Sequence, residues 1–487
     1  MSSGLNVGPK FHFIGEMKSL FAFLLAVVFT LTVRADFQVG VAAEDVTPKI
    51  WPVHLIGSFS PRLAESANDP LMARAMVFSD GVTTVAICVV DNCLIDRALL
   101  DQAKEIVQKQ VGIPIEKQLV SATHTHSAPP GRVGIDLTDE DAAYQKLLVE
   151  GIAAAITKAN AGLQPASVGF GRGDLPDEVN NRRWFLKEGA MPVNPFGDPN
   201  DKVKMNPPRG PLLDKPAGPT DPEICVLSFH DAKDKPLGLL ANYSLHYVGA
   251  TPSGQVSGDY FGEFARLMKI RFTNENPNFL AAMSNGTSGD INNIRFANPR
   301  PRRDTFEQIR TVAGKAADVV WKAHKDIEAH AGGDQVKVKM VERLLKLNRR
   351  KPTDEQVERA QEIVEMSEED IKKLPRLAVN YAKRTLSFIE RPGTYEVKLQ
   401  AIRIGEDIAI LSLPFETIVE IGLDLKKKSP FKNTFIIELA NGETGYLPTP
   451  EQHKLGGYET WLTTNRVQKD ASVIITKQFL EMLDELK

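Results

Sequence analysis

Apolar and polar positions alternate along the first part of the chain. "FQVGVAAEDVTP" alternates and ends in proline, as a strand does. "MARAMVFSDG" and "TTVAICVVDNCLI" follow, rich in apolar and β-branched residues and joined at Asp80-Gly81. Asp-Gly between two such runs is the strongest short-range hairpin signal. Over residues 98–112 the period changes, and Leu99, Leu100, Ala103, Ile106 and Val107 recur at helical spacing. "QLVSATHTHS" reads as a short strand running into a loop, and 139–162 as an Ala-rich helix with Gly162 near its end. Strands alternating with helices point to an α/β architecture.

The pattern then lapses. Residues 186–222 are dense in Pro, Gly and Asp and lack periodicity, which predicts an irregular loop. Two readings of it stand side by side, a lid over a substrate site and a surface insertion. Strand character returns in "ICVLSFHD", "PLGLLANYSLHYVG" and "NFLAAMSNGTSGDINN", and residues 305–328 read as a helix. Thr353 and Gln356 form a capping-box signature that opens a charged helical region over 353–373, its charges read as a solvated face. "YEVKLQAIRIGEDIAILSLPFE" is a hairpin pattern, and a second hairpin-like pair surrounds "FIIELANGETGYLPTP". An amphipathic helix is expected over 469–486.

Composition changes this picture at the N-terminus. Met17-Lys18 precedes the apolar "SLFAFLLAVVFTLT" and the small residues Val33 and Ala35, the layout of a signal peptide over 17–35. Residues 1–16 read as an upstream extension, and the exported chain as starting near Asp36, for a secreted or periplasmic protein. The apolar stretch is short for a membrane span, which takes ~20 residues. The net charge of −3 excludes the basic footprint of a nucleic-acid binder. Cys88, Cys93 and Cys225 form neither a CxxC motif nor an even set, so no disulfide framework is expected, and Cys88 reads as core. The sequons at Asn242 and Asn285 fall in segments that read as buried.

Candidate chemistry starts at "SATHTHSAPPG", where His124 and His126 lie one residue apart. At a strand end, residues i and i+2 share a face and present two imidazoles to one site. Metal ligation and a hydrogen-bonded surface pair are equally good accounts of the motif alone. Three further polar residues stand where strands end: His246, Glu416 after Pro414, and Tyr446 beside Gly445. Ligands gather at such positions in α/β folds. Singly, His246 also reads as a satisfied core histidine and Glu416 as a carboxylate at a helix start.

Taken in order, the segments resemble the neutral ceramidase family of zinc-dependent amidases. "THTHSAPPG" resembles that family's THTHSGP motif, and "VNNRRWF" supplies its Asn-Arg pair at Arg182. "NYSLHYVG", "SGDYFG" (with Asp259 and Tyr260), "GTSGDINNI", "LPFE" and "GYLPTPEQHKLGGYE" resemble later family motifs, so the likeness runs from about Phe37 to Lys487. It implies an α/β domain of mixed β-sheets flanked by helices over 36–487. It also implies one zinc ion held by His124, His246, Glu416 and Tyr446, with His126, Arg182 and Tyr458 around the reacting amide. The implied substrate is ceramide or a related N-acyl lipid, presented at a membrane surface or free in solution, with no nucleic acid and no protein partner. Asn292 stands where the family has a serine, Tyr247 where it has proline, and Ala128-Pro129-Pro130 in place of its Gly-Pro sequence. The family's C-terminal β-sandwich domain is expected to be missing. Two rival readings follow from these departures: a zinc hydrolase of another amide or ester, and an inactive binding relative.

Overall fold

A computed structural model of the chain describes residues 36–487, apart from 61, 250, 253 and 302, together with Met1 and Gly8. The expected signal peptide lies outside the described residues.

The large sheet runs, in spatial order, 280–285, 236–243, 223–231, 164–174, 38–45, 72–79, 84–90 and 118–122, with the two-residue strand Ala331–Gly332 added beside 164–174. Its first and last neighbouring pairs are parallel and the rest antiparallel. Both faces are covered, which explains why strands such as Thr84–Val90 are almost continuously apolar. On one face, Ala75, Val77, Cys88 and Val120 pack on helices Arg97–Val111 and Asp139–Ala161. Further along that face, Val226, Leu239 and Met283 pack on helices Asp259–Phe272 and Glu307–Lys325. The opposite face, with Met76, Phe78, Ile87 and Leu227, packs on Met340, Ile402, Ile410 and Phe435 of a second sheet. That sheet has the order 338–348, 394–404, 408–412, 433–437, and its outer face holds helices Val419–Lys428 and Ala471–Leu486. The result is a helix–sheet–sheet–helix layering, an α/β fold with mixed sheets.

Local signals act as expected in several places. The Asp80-Gly81 hairpin forms, with Gly81 at φ 79°. Thr138 with Asp141, and Thr353 with Gln356, complete capping boxes. Gly40 allows the helix Asp139–Ala161 to lie against the sheet, since a Cβ there would fall 1.9 Å from the Ala159 carbonyl oxygen. All three cysteines are free and buried, and Asn242 and Asn285 are buried too. Three expectations are corrected. Residues 186–222 hold strands Val203–Met205 and Leu213–Pro216, which flank Arg183–Leu186 in a small sheet. The segment around 433–447 is no hairpin: Asn433–Ile437 pairs parallel with Ile408–Ser412, and Tyr446–Leu447 parallel with Glu416–Thr417. The charged region continues past 373 into the helix Ala378–Ile389, which packs on Asp354–Glu365.

His324 of the helix Glu307–Lys325 and His330 line a surface cavity with His230 of the strand 223–231, and His324 Nδ1 bonds Ser228 Oγ at 2.9 Å. Burial, then the neighbouring His230, pushes both His324 and His330 down to about 4. A lowered folded value means that the unfolded chain takes up these protons first. The stabilisation is complete above pH ~6.5 and lost as pH falls toward 4. The melting temperature should therefore drop over that interval, and His324→Gln should flatten the drop. An unchanged slope in differential scanning calorimetry would count against this.

Candidate metal centre

The site lies where strands of both sheets end. The segment after Asn433–Ile437 threads between two strand ends: Glu438 N–H donates to the Asn285 carbonyl at 3.1 Å, and Ala122 N–H to the Leu439 carbonyl at 3.1 Å. This brings the end of Gln118–Ala122, which leads to His124, close to the end of Leu280–Asn285. His246 follows the strand Pro236–Tyr243, the parallel neighbour of Leu280–Asn285. Glu416 lies beyond Ile408–Ser412, paired across to Tyr446.

The two histidines at 124 and 126 do meet, though not by strand alternation. His124 has left the strand and takes φ 72°, and its Nε2 lies 3.2 Å from that of His126. His124 Nε2 faces His246 Nε2 at 2.9 Å, and Glu416 Oε2 lies 3.3 Å and 3.6 Å from these two nitrogens. His124 Nδ1 donates to the Cys93 carbonyl at 2.7 Å, and His246 Nδ1 to the Ser288 carbonyl at 2.9 Å. Carbonyls only accept, so both Nδ1 atoms carry the ring proton and both Nε2 atoms present lone pairs. Two lone pairs and a carboxylate oxygen at these distances repel one another unless a positive charge lies among them. A proton is one way to supply that charge. Burial works against a charged His124, but the Glu416 carboxylate and Cys93 together hold the His124 pKa well above the usual histidine value. Burial, then the His124 charge, pushes His246 and His126 well below it. A cation bound by all three groups is the other way, and the donor set fits one: neutral imidazoles oriented by outer hydrogen bonds, plus a carboxylate.

Around the cluster, Arg182 Nη2 donates to Tyr446 Oη at 2.9 Å, and Arg182 Nη1 lies 3.4 Å from His246 Nε2. The ring of Tyr458 is 5.4 Å from that of Tyr446. Tyr247 stacks on His126 with centroids 3.6 Å apart. Gly57, at φ 91°, lets the chain pass His126, where a Cβ would fall 2.5 Å from the ring. Of the residues singled out from sequence, His124, His126, His246, Glu416, Tyr446, Arg182 and Tyr458 are thus brought together. Asn292 is not: its Nδ2 bonds Asn206 Oδ1 at 2.6 Å, on the Pro-rich segment.

Four residues escaped the sequence reading. Ser288 lies under His246 and donates to Glu438 Oε1 at 2.7 Å. Glu438 also accepts from Thr417 N–H at 2.7 Å, and burial raises its pKa to about 8. It therefore braces the backbone beside both His246 and Glu416. Glu459 accepts from Arg182 at 3.0 Å and Arg183 at 2.5 Å, all three buried. Its place beside Tyr458 in "GGYE" was the available signal. Cys93 acts through its carbonyl, for which a sequence carries no signal.

A layered α/β fold with a cluster of metal-ligand type at its strand ends is the class that this geometry defines. The family model "neutral/alkaline non-lysosomal ceramidase, N-terminal" matches residues 37–385, and the chain belongs to that family. It is 25% identical over 272 residues to neutral ceramidase B of Dictyostelium discoideum, covering 53% of this chain and 35% of that one. It is 22% identical over 319 residues to the neutral ceramidase of Pseudomonas aeruginosa, covering 61% and 44%. The matched segments thus span less than half of these relatives. The crystal structure of the Pseudomonas aeruginosa neutral ceramidase superposes with a TM-score of 0.70 at 17% identity, over 93% of this chain and 74% of that one. A second similar structure, with the same TM-score, is described as ceramidase complexed with C2.

Proposed function

We propose that the protein is an exported, zinc-dependent amidohydrolase that cleaves the N-acyl linkage of ceramide or a related N-acyl lipid. The observation that carries this reading is the face-to-face pair of His124 and His246 Nε2 atoms beside Glu416, an arrangement that calls for a cation. His124, His246, Glu416 and Tyr446 would hold it. Zinc so bound would bring the pKa of a water to ~7 and polarise an amide carbonyl. Arg182, fixed by Glu459 and Tyr446, is placed to stabilise negative charge developing on the carbonyl oxygen. Burial, then the positive charges near it, keep His126 neutral, so its Nε2 can accept a hydrogen bond at the reacting amide. Tyr247 and Gly57 hold that ring in position. Among the described residues no helix is long and apolar enough to cross a membrane.

The larger cavity supports the lid reading of residues 186–222. It measures about 960 Å³ and touches His126, Arg182, His246 and Tyr446. Met191–Pro195 and Val203–Pro208 of that segment line it, as do Lys373–Leu377. The test is a panel of a short-chain fluorescent ceramide and simple N-acyl amides, run with and without a chelator. Turnover that disappears with the chelator and returns with zinc is expected. No turnover of any amide, or turnover indifferent to the chelator, would refute the reading.

A further inference from the structure

A second, smaller cavity meets the first at the cluster and has a different chemistry. It measures about 260 Å³, touches His124 and Glu416, and shares Phe59, His126, Tyr446 and Tyr458 with the larger one. Four arginines line it: Arg132, Arg384, Arg391 and Arg466. Glu443, buried, serves Arg466 at 3.0 Å and Arg132 at 3.6 Å. Glu416 is committed to the two histidines. Arg384 and Arg391 are left with no carboxylate partner among the described residues. Arg384 is instead held over the rings of Phe59 and Tyr381, at 5.5 Å and 5.6 Å.

An independent feature points the same way. Thr463 also lines this cavity, at 8% exposure, and its buried Oγ1 has no hydrogen-bond partner. It takes φ 72°, a left-handed backbone that a β-branched residue adopts only at a cost. One cavity is thus lined by an unpaired buried hydroxyl and by two guanidinium groups that have no carboxylate partner. An anion matches this lining in charge and in hydrogen bonding, since guanidinium binds planar or tetrahedral oxyanions through paired N–H groups.

We propose that the smaller cavity is an anion subsite, so that the substrate is an N-acyl amide whose amine half carries a carboxylate or sulfonate. This rests on the amidase reading above. The acyl chain belongs in the larger cavity, against Val193, Val203, Leu374 and Trp461. The amide then lies across the cluster, and the charged end of the amine reaches Arg384, Arg391 and Thr463. A neutral sphingoid base would gain nothing from the positive charge of these arginines.

The test separates binding from hydrolysis. N-lauroylglycine, N-lauroyltaurine and neutral N-lauroylethanolamine are titrated by calorimetry into the full chain kept metal-free by a chelator. At least one of the anionic amides is expected to bind about tenfold tighter than the neutral one. The gap should shrink with added salt and close in Arg384→Gln/Arg391→Gln, both exposed positions whose loss spares the fold. Equal affinities, or a gap that survives the double substitution, would overturn the proposal. Failure of the zinc-loaded protein to cleave any of the three amides would instead strike the amidase reading, with the binding result standing by itself.

Discussion

His124→Ala is expected to abolish tight metal binding and to lower amide turnover by at least about a thousandfold, since no other step supplies the activated water. The argument rests on which atoms are already engaged. Both Nδ1 atoms of the facing histidines are bound to carbonyls, so the Nε2 atoms are turned toward each other and Glu416, with His126 beside one and Arg182 beside the other. A cation there also stabilises the fold, because it binds the native state alone. At a free concentration a thousandfold above its dissociation constant, that linkage amounts to about 4 kcal/mol. A chelator should therefore lower the melting temperature of the unsubstituted protein and leave that of His124→Ala unmoved. Asn292→Ser is the contrasting case. Asn292 bonds Asn206 rather than the cluster, so its replacement should leave metal content unaltered. Metal analysis that finds the ion retained in His124→Ala would sink the assignment of this residue as a ligand.

The same distinction between local and distant causes explains what the sequence disclosed. The hairpin at Asp80-Gly81 and the capping boxes at Thr138 and Thr353 depend on residues within a few positions of one another, and they formed as read. The segment 433–447 looked like a hairpin because "NGET" resembles a turn between two apolar runs. Its partners lie elsewhere: Ile408–Ser412 leads through the helix Val419–Lys428 to Asn433–Ile437, a parallel crossover. That helix carried too weak a pattern in "VEIGLDLKKK" to be read beforehand. The HxH pair was legible as residues but not as geometry, since the left-handed backbone of His124 replaces the strand face that the spacing suggested. Glu438 and Ser288 were missed because bracing is visible only once distant segments meet. The family resemblance located the cluster; only the packing showed that Asn292 bonds Asn206.

Glu459→Gln should prove the most destabilising single substitution near the site. Its carboxylate is fully buried and lies between Arg182 and Arg183, which are 4% and 1% exposed. Burial raises its pKa, but the two guanidinium charges prevail and hold it below the ordinary glutamate value. Removing its charge leaves two buried cations facing an uncharged amide. Breaking a buried pair in this way costs about 3–5 kcal/mol. The loss reaches catalysis as well, because Arg182 Nε is anchored by Glu459 while its Nη2 holds Tyr446 Oη. Turnover should therefore fall even at temperatures where the variant is fully folded. The pH sign follows from the lowered value: the stabilisation is complete above pH ~4.5 and is lost as pH drops through the folded pKa. A double-mutant cycle with Arg183→Met isolates the pair, for residues in one ion network do not act additively. Denaturant unfolding should show Arg183→Met costing clearly less in the Glu459→Gln background than in the unsubstituted protein. Equal costs in both backgrounds would mean that the two side chains are energetically independent, and that Glu459 does not tie the arginines to the site.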